Sequence, residues 1–361
     1  MEKYVVSRSV SDKVLVVGEY FKGAPGGIAA VLQYYRPHWE TFKFVPSSRK
    51  MTRVEKIVFG LGGFFLMFFR LLFDWKIRIV HIHTAAGGSF TKHQHYVRLA
   101  KFMGRKVILH SHASRFKVFF DESSSRRKSS ILKTLNSLDR LIVLSVSWKQ
   151  WFESIGVNPA KITILNNITP EPSAPHVPSS DGTLRLLFLG EIGDRKGVFD
   201  LLRALTDHKD EFSGKIFLHV GGNGQVEKIR MFIADNQLDG LVKFDGFVSG
   251  DLKTDLLSHA DVFVLPSFNE GLPISILEAM SYGCTIISTP VGGIPEVVSD
   301  ANGILVPPGD SEALASAVRS LLMDPAMVES TGNASRKIVR KFYPEPVLTD
   351  LVGIYRQLLN Q

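Results

Sequence analysis

The sequence predicts an α/β fold of two parallel-sheet domains, on three observations. Apolar strand-like runs alternate with helical stretches almost from end to end, the pattern of parallel sheets covered by helices. The length of 361 residues suits two domains of ordinary size. A proline-, serine- and glycine-rich stretch, residues 169–182, separates two sets of strand-like runs, and it can hold neither a helix nor a central strand.

Taken in order, strands are expected at residues 14–17, 79–82, 107–109, 141–144 and 162–165, and after the divide at 186–189, 216–220, 242–244, 262–265 and 286–288. Residues 57–69 form the most apolar run, 13 residues long and followed by Arg70. That is short of the roughly 20 a spanning helix needs. The run is expected to pack in the core of the first domain. The alternative is a helix at a membrane interface, because Arg49, Lys50, Arg53 and Lys56 precede it and Phe119 and Phe120 lie near Arg126, Arg127 and Lys128. On an anionic bilayer each basic residue adds about 1 kcal/mol. The tail places Leu348, Leu351, Val352, Tyr355 and Leu358 at helical spacing. The expected organisation is an N-terminal domain 1–170, a linker 171–183, a second domain 184–344 and a terminal helix 345–361. No fixed-period repeat points to a solenoid.

Composition narrows the class. With 45% hydrophobic and 22% charged residues the chain is neither disordered nor collagen-like. Its single cysteine, Cys284, permits no intramolecular disulfide and no cysteine zinc site, and is expected to be a buried packing residue. A cytoplasmic location is expected, since residues 1–11 are polar and show no secretory h-region. The net charge of +8 conceals an asymmetry: up to Pro175 there are 27 Lys and Arg against 11 Asp and Glu, a net +16, and beyond it 16 against 24, a net −8. One half is therefore suited to an anionic surface. The other must find an anion by local geometry.

The most informative stretch runs from Pro266 to Gly283, PSFNEGLPISILEAMSYG. It follows an expected strand, Pro273 suits the first turn of a helix, Glu270 falls in the loop and Glu278 on the helix. Both carboxylates then stand near the carboxyl edge of a parallel sheet, where open α/β folds bind ligands. Backbone amides around Gly271 and Leu272 would serve an anion there. Carboxylates in such a place accept hydrogen bonds from hydroxyls, and sugars and riboses supply them.

The Glu270-to-Glu278 spacing, with Gly292-Gly293-Ile294-Pro295-Glu296 and the run 303–310, resembles the group-1 (family 4) retaining glycosyltransferases. The resemblance covers most of residues 186–310, and more weakly Gly26-Gly27-Ile28, His81-Ile82-His83 and 108–112. It implies the GT-B fold: two Rossmann-like domains facing a central cleft, with the C-terminal helix crossing back to the first domain. It also implies sugar transfer from a nucleotide-diphosphate sugar, with no essential metal and no cofactor. By resemblance, Glu270 would hold the donor sugar's hydroxyls, Glu278 the ribose, Lys196 the phosphate and His112 the sugar. The family's arginine after the first glycine is Glu191 here, so that role moves to Arg195 within the loop 190–197. Gly222 and Asn223 would approach the donor, Gly246 and Phe247 the nucleobase, and Gly26 and Gly27 the diphosphate.

Three HxH pairs, His81/His83, His93/His95 and His110/His112, offer another chemistry, since i and i+2 on a strand share a face. A metal-dependent hydrolase is one alternative, although no DxD or HExxH motif accompanies the pairs. A non-catalytic protein binding nucleotide sugar or nucleic acid is another, although no nucleic-acid motif is present. The expected partners are a nucleotide sugar, a lipid-linked or polysaccharide acceptor of bacterial cell-surface glycan synthesis, and the anionic inner face of the cell membrane, with no nucleic acid.

Overall fold

The computed structural model describes residues 4–21, 27–49, 53–112, 114–179 and 181–361. Contacts divide the chain into two units, Met1–Ile168 with Phe342–Gln361, and Thr169–Lys341. Each is built on a six-stranded parallel sheet.

In the first unit the strands are β1 (Val14–Glu19), β2 (Lys43–Ser48), β3 (Ile79–Thr84), β4 (Lys106–Ser111), β5 (Arg140–Val143) and β6 (Ile162–Ile164), in the order β2-β1-β3-β4-β5-β6. Central strands rich in Val, Ile and Leu are buried on both faces, as helices on either side require. One face presents Leu15, Val17, Val80, Ile82, Leu109 and Leu141 to the main core. Alternation sends His81, His83 and His110 to the other face. The C-terminal helix Pro344–Leu359 packs against the first unit at β3 and at the helix Gly27–Tyr35, burying Val347, Leu348, Leu351, Val352, Ile354, Tyr355 and Leu358.

The second unit holds β7 (Leu184–Leu189), β8 (Ile216–Gly221), β9 (Val242–Gly246), β10 (Val262–Leu265), β11 (Thr285–Ser288) and β12 (Gly303–Leu305), in the order β12-β11-β10-β7-β8-β9. From β9 inward this is the doubly-wound Rossmann order, and its direction of winding reverses between β7 and β10. The proline-rich stretch is tied to this unit. Val177 N donates to Ser258 O at 2.8 Å, and the Ser173 and Tyr282 hydroxyls are 3.0 Å apart.

Two strands exceed the sequence expectation, β2 and β12, and both lie at sheet edges. β2 carries Pro46, which an edge strand tolerates because one side of it needs no donor. β12 has only three residues, too few for a periodic signal.

The core-packing expectation for residues 57–69 needs correction. The helix Arg53–Phe73 buries Gly60, Gly63, Met67 and Leu71, but its other face exposes Ile57, Leu61, Phe65, Phe69, Leu72 and Phe73. The side chains of Arg53, Val54 and Lys56 and all of Lys50 lie outside the described residues. Among the described residues no helix is long and apolar enough to cross a membrane.

Candidate active site

The loops after β7 and β10 meet at the switch point of the second sheet. Gly197 makes this possible. It has φ +69°, and a Cβ on it would stand 2.1 Å from the Pro266 carbonyl oxygen, so the β7 loop lies directly on the β10 loop. Phe268 N donates to the Arg195 carbonyl at 2.9 Å across the same seam. The helix Val198–Asp207 starts beyond Gly197, and its first-turn amides have no intrahelical acceptor.

This seam gathers the charged side chains singled out in the sequence. Lys196 Nζ lies 2.5 Å from Glu270 Oε1, and the buried Glu270 also accepts from Ser267 Oγ at 2.8 Å. Arg195 donates to the Asn269 carbonyl at 3.2 Å and to Glu191 at 2.9 Å, with Glu270 Oε1 4.0 Å away. Glu191 thus faces the arginine to which the phosphate role was moved. Gly271 and Leu272 are buried beside Glu270, and the Gly271 carbonyl accepts from Gly293 N at 2.6 Å. Glu278 is buried on the helix Ile274–Tyr282 and takes Lys253 Nζ at 2.7 Å. Pro273 is the N-cap of that helix rather than a residue of its first turn.

On the other flank, Gly222, Asn223 and Gly246 bind one another's loops through backbone. Gly222 N donates to Gly246 O at 2.7 Å, and Ile192 N to Asn223 O at 2.7 Å. A Cβ on Gly222 would come within 1.8 Å of the Gly190 carbonyl oxygen, so only glycine fits. Phe247, 53% exposed, is the apolar side chain left open at this edge.

In the first unit, His112 follows β4, is half-buried, and its Nε2 lies 2.9 Å from His83 Nδ1. Burial pushes its pKa down to about 3, against a hydrogen bond to Asn167 that raises it. Gly27 is the exposed first residue of the helix Gly27–Tyr35, with no atom of the other described residues within 4 Å of the place of a Cβ, whereas Gly26 lies outside the described residues. The HxH pairs divide. His81/His83 and His110/His112 belong to β3 and the end of β4, but His93 and His95 sit on the helix Gly88–Phe102, where i and i+2 diverge: His93 is buried and His95 exposed. His81, His83 and His110 are wholly buried, which removes them from any substrate and argues against the hydrolase alternative. Cys284 is buried, and burial raises its thiol pKa to about 12.

Two family models match. Residues 183–324 match "Glycosyl transferases group 1" and residues 35–169 match "Glycosyltransferase Family 4". The chain belongs to the group 1, family 4 glycosyltransferases. It is 27% identical over 236 residues to the putative colanic acid biosynthesis glycosyltransferase WcaL of Escherichia coli, covering 61% of this chain and 57% of WcaL. The matched stretch thus spans a little over half of that relative. Its fold is that of sucrose-phosphate synthase from Thermosynechococcus elongatus (TM-score 0.76, 19% identity, 96% of this chain and 99% of that one). It is likewise that of Anabaena HepE, solved in complex with UDP-glucose (TM-score 0.72, 16% identity, 96% and 98%). Both likenesses speak for the GT-B fold.

Sequence reasoning about this family member missed two residues that hold the carboxylates. Ser267 stands three positions before Glu270, inside the motif, and could have been found there. Lys253 is 25 residues from Glu278, on the helix Gly250–His259, and only the packing of that helix beside Ile274–Tyr282 brings them together.

Proposed function

We propose that this chain transfers a sugar from a nucleoside diphosphate sugar to a glycan or lipid-linked acceptor, with retention of anomeric configuration, in bacterial cell-surface glycan synthesis. The observation that carries the reading is the cluster of Lys196, Arg195, Glu270 and Ser267 at the switch point of the second sheet. A departing diphosphate gains charge as the glycosidic bond breaks, and needs fixed cations and helix-end amides at that point. Lys196 and Arg195 supply the cations from the chain itself, so the transfer step calls for no metal and no cofactor. On donor binding Lys196 exchanges Glu270 for phosphate, and the released carboxylate accepts the sugar's hydroxyls. Glu278, oriented by Lys253, accepts from the ribose, while Gly222, Asn223, Gly246, Gly271 and Leu272 shape the donor's bed and Phe247 offers a face to the base. By the family resemblance, Gly26 and Gly27 would meet the diphosphate and His112 the sugar. HepE was solved with UDP-glucose and WcaL is named for colanic acid biosynthesis, which favours a nucleotide sugar and a polysaccharide product.

The exposed stripe of the helix Arg53–Phe73 supports an acceptor side at the anionic inner face of the cell membrane. Phe65, Phe69 and Phe73 are 57%, 51% and 73% exposed at every fourth position, and exposed Arg70 and Lys76 lie beside them. Aromatics with bases suit lipid better than nucleic acid. The test of the reading is turnover by the full chain with a panel of nucleoside diphosphate sugars and lipid-linked acceptors in EDTA, the product's anomeric coupling being read by NMR. Consumption of one donor with its anomeric configuration kept is expected, falling about 100-fold or more in Lys196→Ala. An inverted product would overturn retention, and binding without consumption would make the chain a non-catalytic binder.

A further inference from the structure

The face of the first sheet that carries His81, His83 and His110 holds a concentration of unspent ligand atoms that sugar transfer does not use. All three side chains are wholly buried. His81 Nδ1 lies 2.6 Å from the Tyr355 hydroxyl and His83 Nδ1 2.9 Å from His112 Nε2, which leaves Nε2 of each histidine inside. Neither of these Nε2 atoms, nor either nitrogen of His110, has a hydrogen-bond partner among the described residues. Each such buried nitrogen costs about 1–3 kcal/mol if nothing satisfies it. The arrangement is fixed by the fold: β3 pairs with β4 so that His83 is opposite His110, and alternation adds His81 on the same face.

One ligand nitrogen from each of the three lies within 4.8 Å of the others. Neutral imidazole is the form that binds metal. We propose that His81, His83 and His110 bind one zinc-class transition-metal ion. Three imidazoles with no carboxylate or thiolate select borderline ions such as zinc, cobalt or nickel over magnesium or calcium. The nitrogens must close by up to roughly 1.5 Å to reach tetrahedral spacing, and binding requires the rings to turn out of their stacked and tilted arrangement so that their in-plane lone pairs converge. The outer partners are those a metal-bound histidine keeps: the Tyr355 hydroxyl on His81 and His112 on His83. Metal on His83 Nε2 obliges His83 Nδ1 to donate to His112 Nε2, so the ion also sets the tautomer of His112. The ion is a structural one under the sheet, and the inference stands whether or not the chain transfers sugar.

The test uses the full chain, freed of any affinity tag and of metal, with cobalt(II) as probe. One equivalent is expected to give the visible absorption of four-coordinate cobalt, which one equivalent of zinc abolishes while the thermal midpoint rises. His110→Asn should weaken binding about 100-fold or more and Tyr355→Phe about 10- to 100-fold, while exposed His95→Ala changes nothing. Absence of both signals in the wild type overturns the proposal, as does a band that survives His110→Asn or is lost in His95→Ala. If His110→Asn does not fold, X-ray absorption at the zinc edge of the wild type decides. Three imidazole nitrogens at about 2.0 Å support the site, and fewer contradict it.

Discussion

At the scale of single residues, the pair Lys196–Glu270 bears on stability and, in the proposed function, on chemistry. Both side chains are largely withdrawn from water, 13% and 7% exposed. Removing one partner of such a pair leaves a charge stranded in a poor solvent, at a cost of about 3–5 kcal/mol, whereas removing both charges is near neutral. Lys196→Met should therefore lower the urea unfolding free energy by about 3 kcal/mol, and the added Glu270→Gln should restore most of it. A single substitution that costs under about 1 kcal/mol would show the pair to be solvated. The buried histidines set the acid limit. In the metal-free protein His81 has a pKa of about 3, lowered first by burial and then by His112, against 6.5 for the unfolded chain. Between those values the unfolded state binds more protons, so stability is full above about pH 6.5 and falls as pH drops through the window. At pH 5 His81 alone removes about 2 kcal/mol, and His83, His93 and His110 act in the same direction. Urea titrations from pH 7 to pH 5 check this; a flat profile would mean that these rings take up protons in the folded state.

At the scale of elements, hydrophobic content located the helix Arg53–Phe73 but not its orientation. A run that is apolar on all sides gives no hint of which side is covered, and glycines decided it: a Cβ on Gly63 would stand 2.5 Å from the Pro46 carbonyl oxygen, so that face lies on β2. Phe65 and Phe69 are left outward. Replacing both with Asp should leave the thermal midpoint within a degree or two and abolish sedimentation with anionic liposomes at low salt. Equal binding by the variant, or no binding by the wild type, would remove the membrane from the account. The edge strands β2 and β12 escaped the sequence for a related reason. A short strand with one open side needs neither alternation nor a long apolar run.

At the scale of the whole molecule, the alternation of strands and helices was enough for two parallel sheets, because a strand buried on both faces must be apolar throughout. The Glu270-to-Glu278 motif was legible because the loop, helix start and both carboxylates are contiguous. What joins distant segments was not: Lys253 reaches Glu278 only by helix packing, and the three buried histidines meet only through the register of β3 on β4. The family membership rests on residues 35–169 and 183–324, and the fold on 96% of the chain. The proposal for the donor site rests chiefly on residues of the second unit.

The central claim, that the switch point of the second sheet binds a nucleoside diphosphate sugar, is tested most directly by thermal shift with UDP, GDP, ADP and their sugar conjugates on wild type and Glu278→Ala, in EDTA. Ligand at a hundredfold excess over its dissociation constant adds about 2.7 kcal/mol. The account predicts a raised midpoint with one nucleotide class, lost in Glu278→Ala. No shift with any of them, or an equal shift in Glu278→Ala, would contradict it.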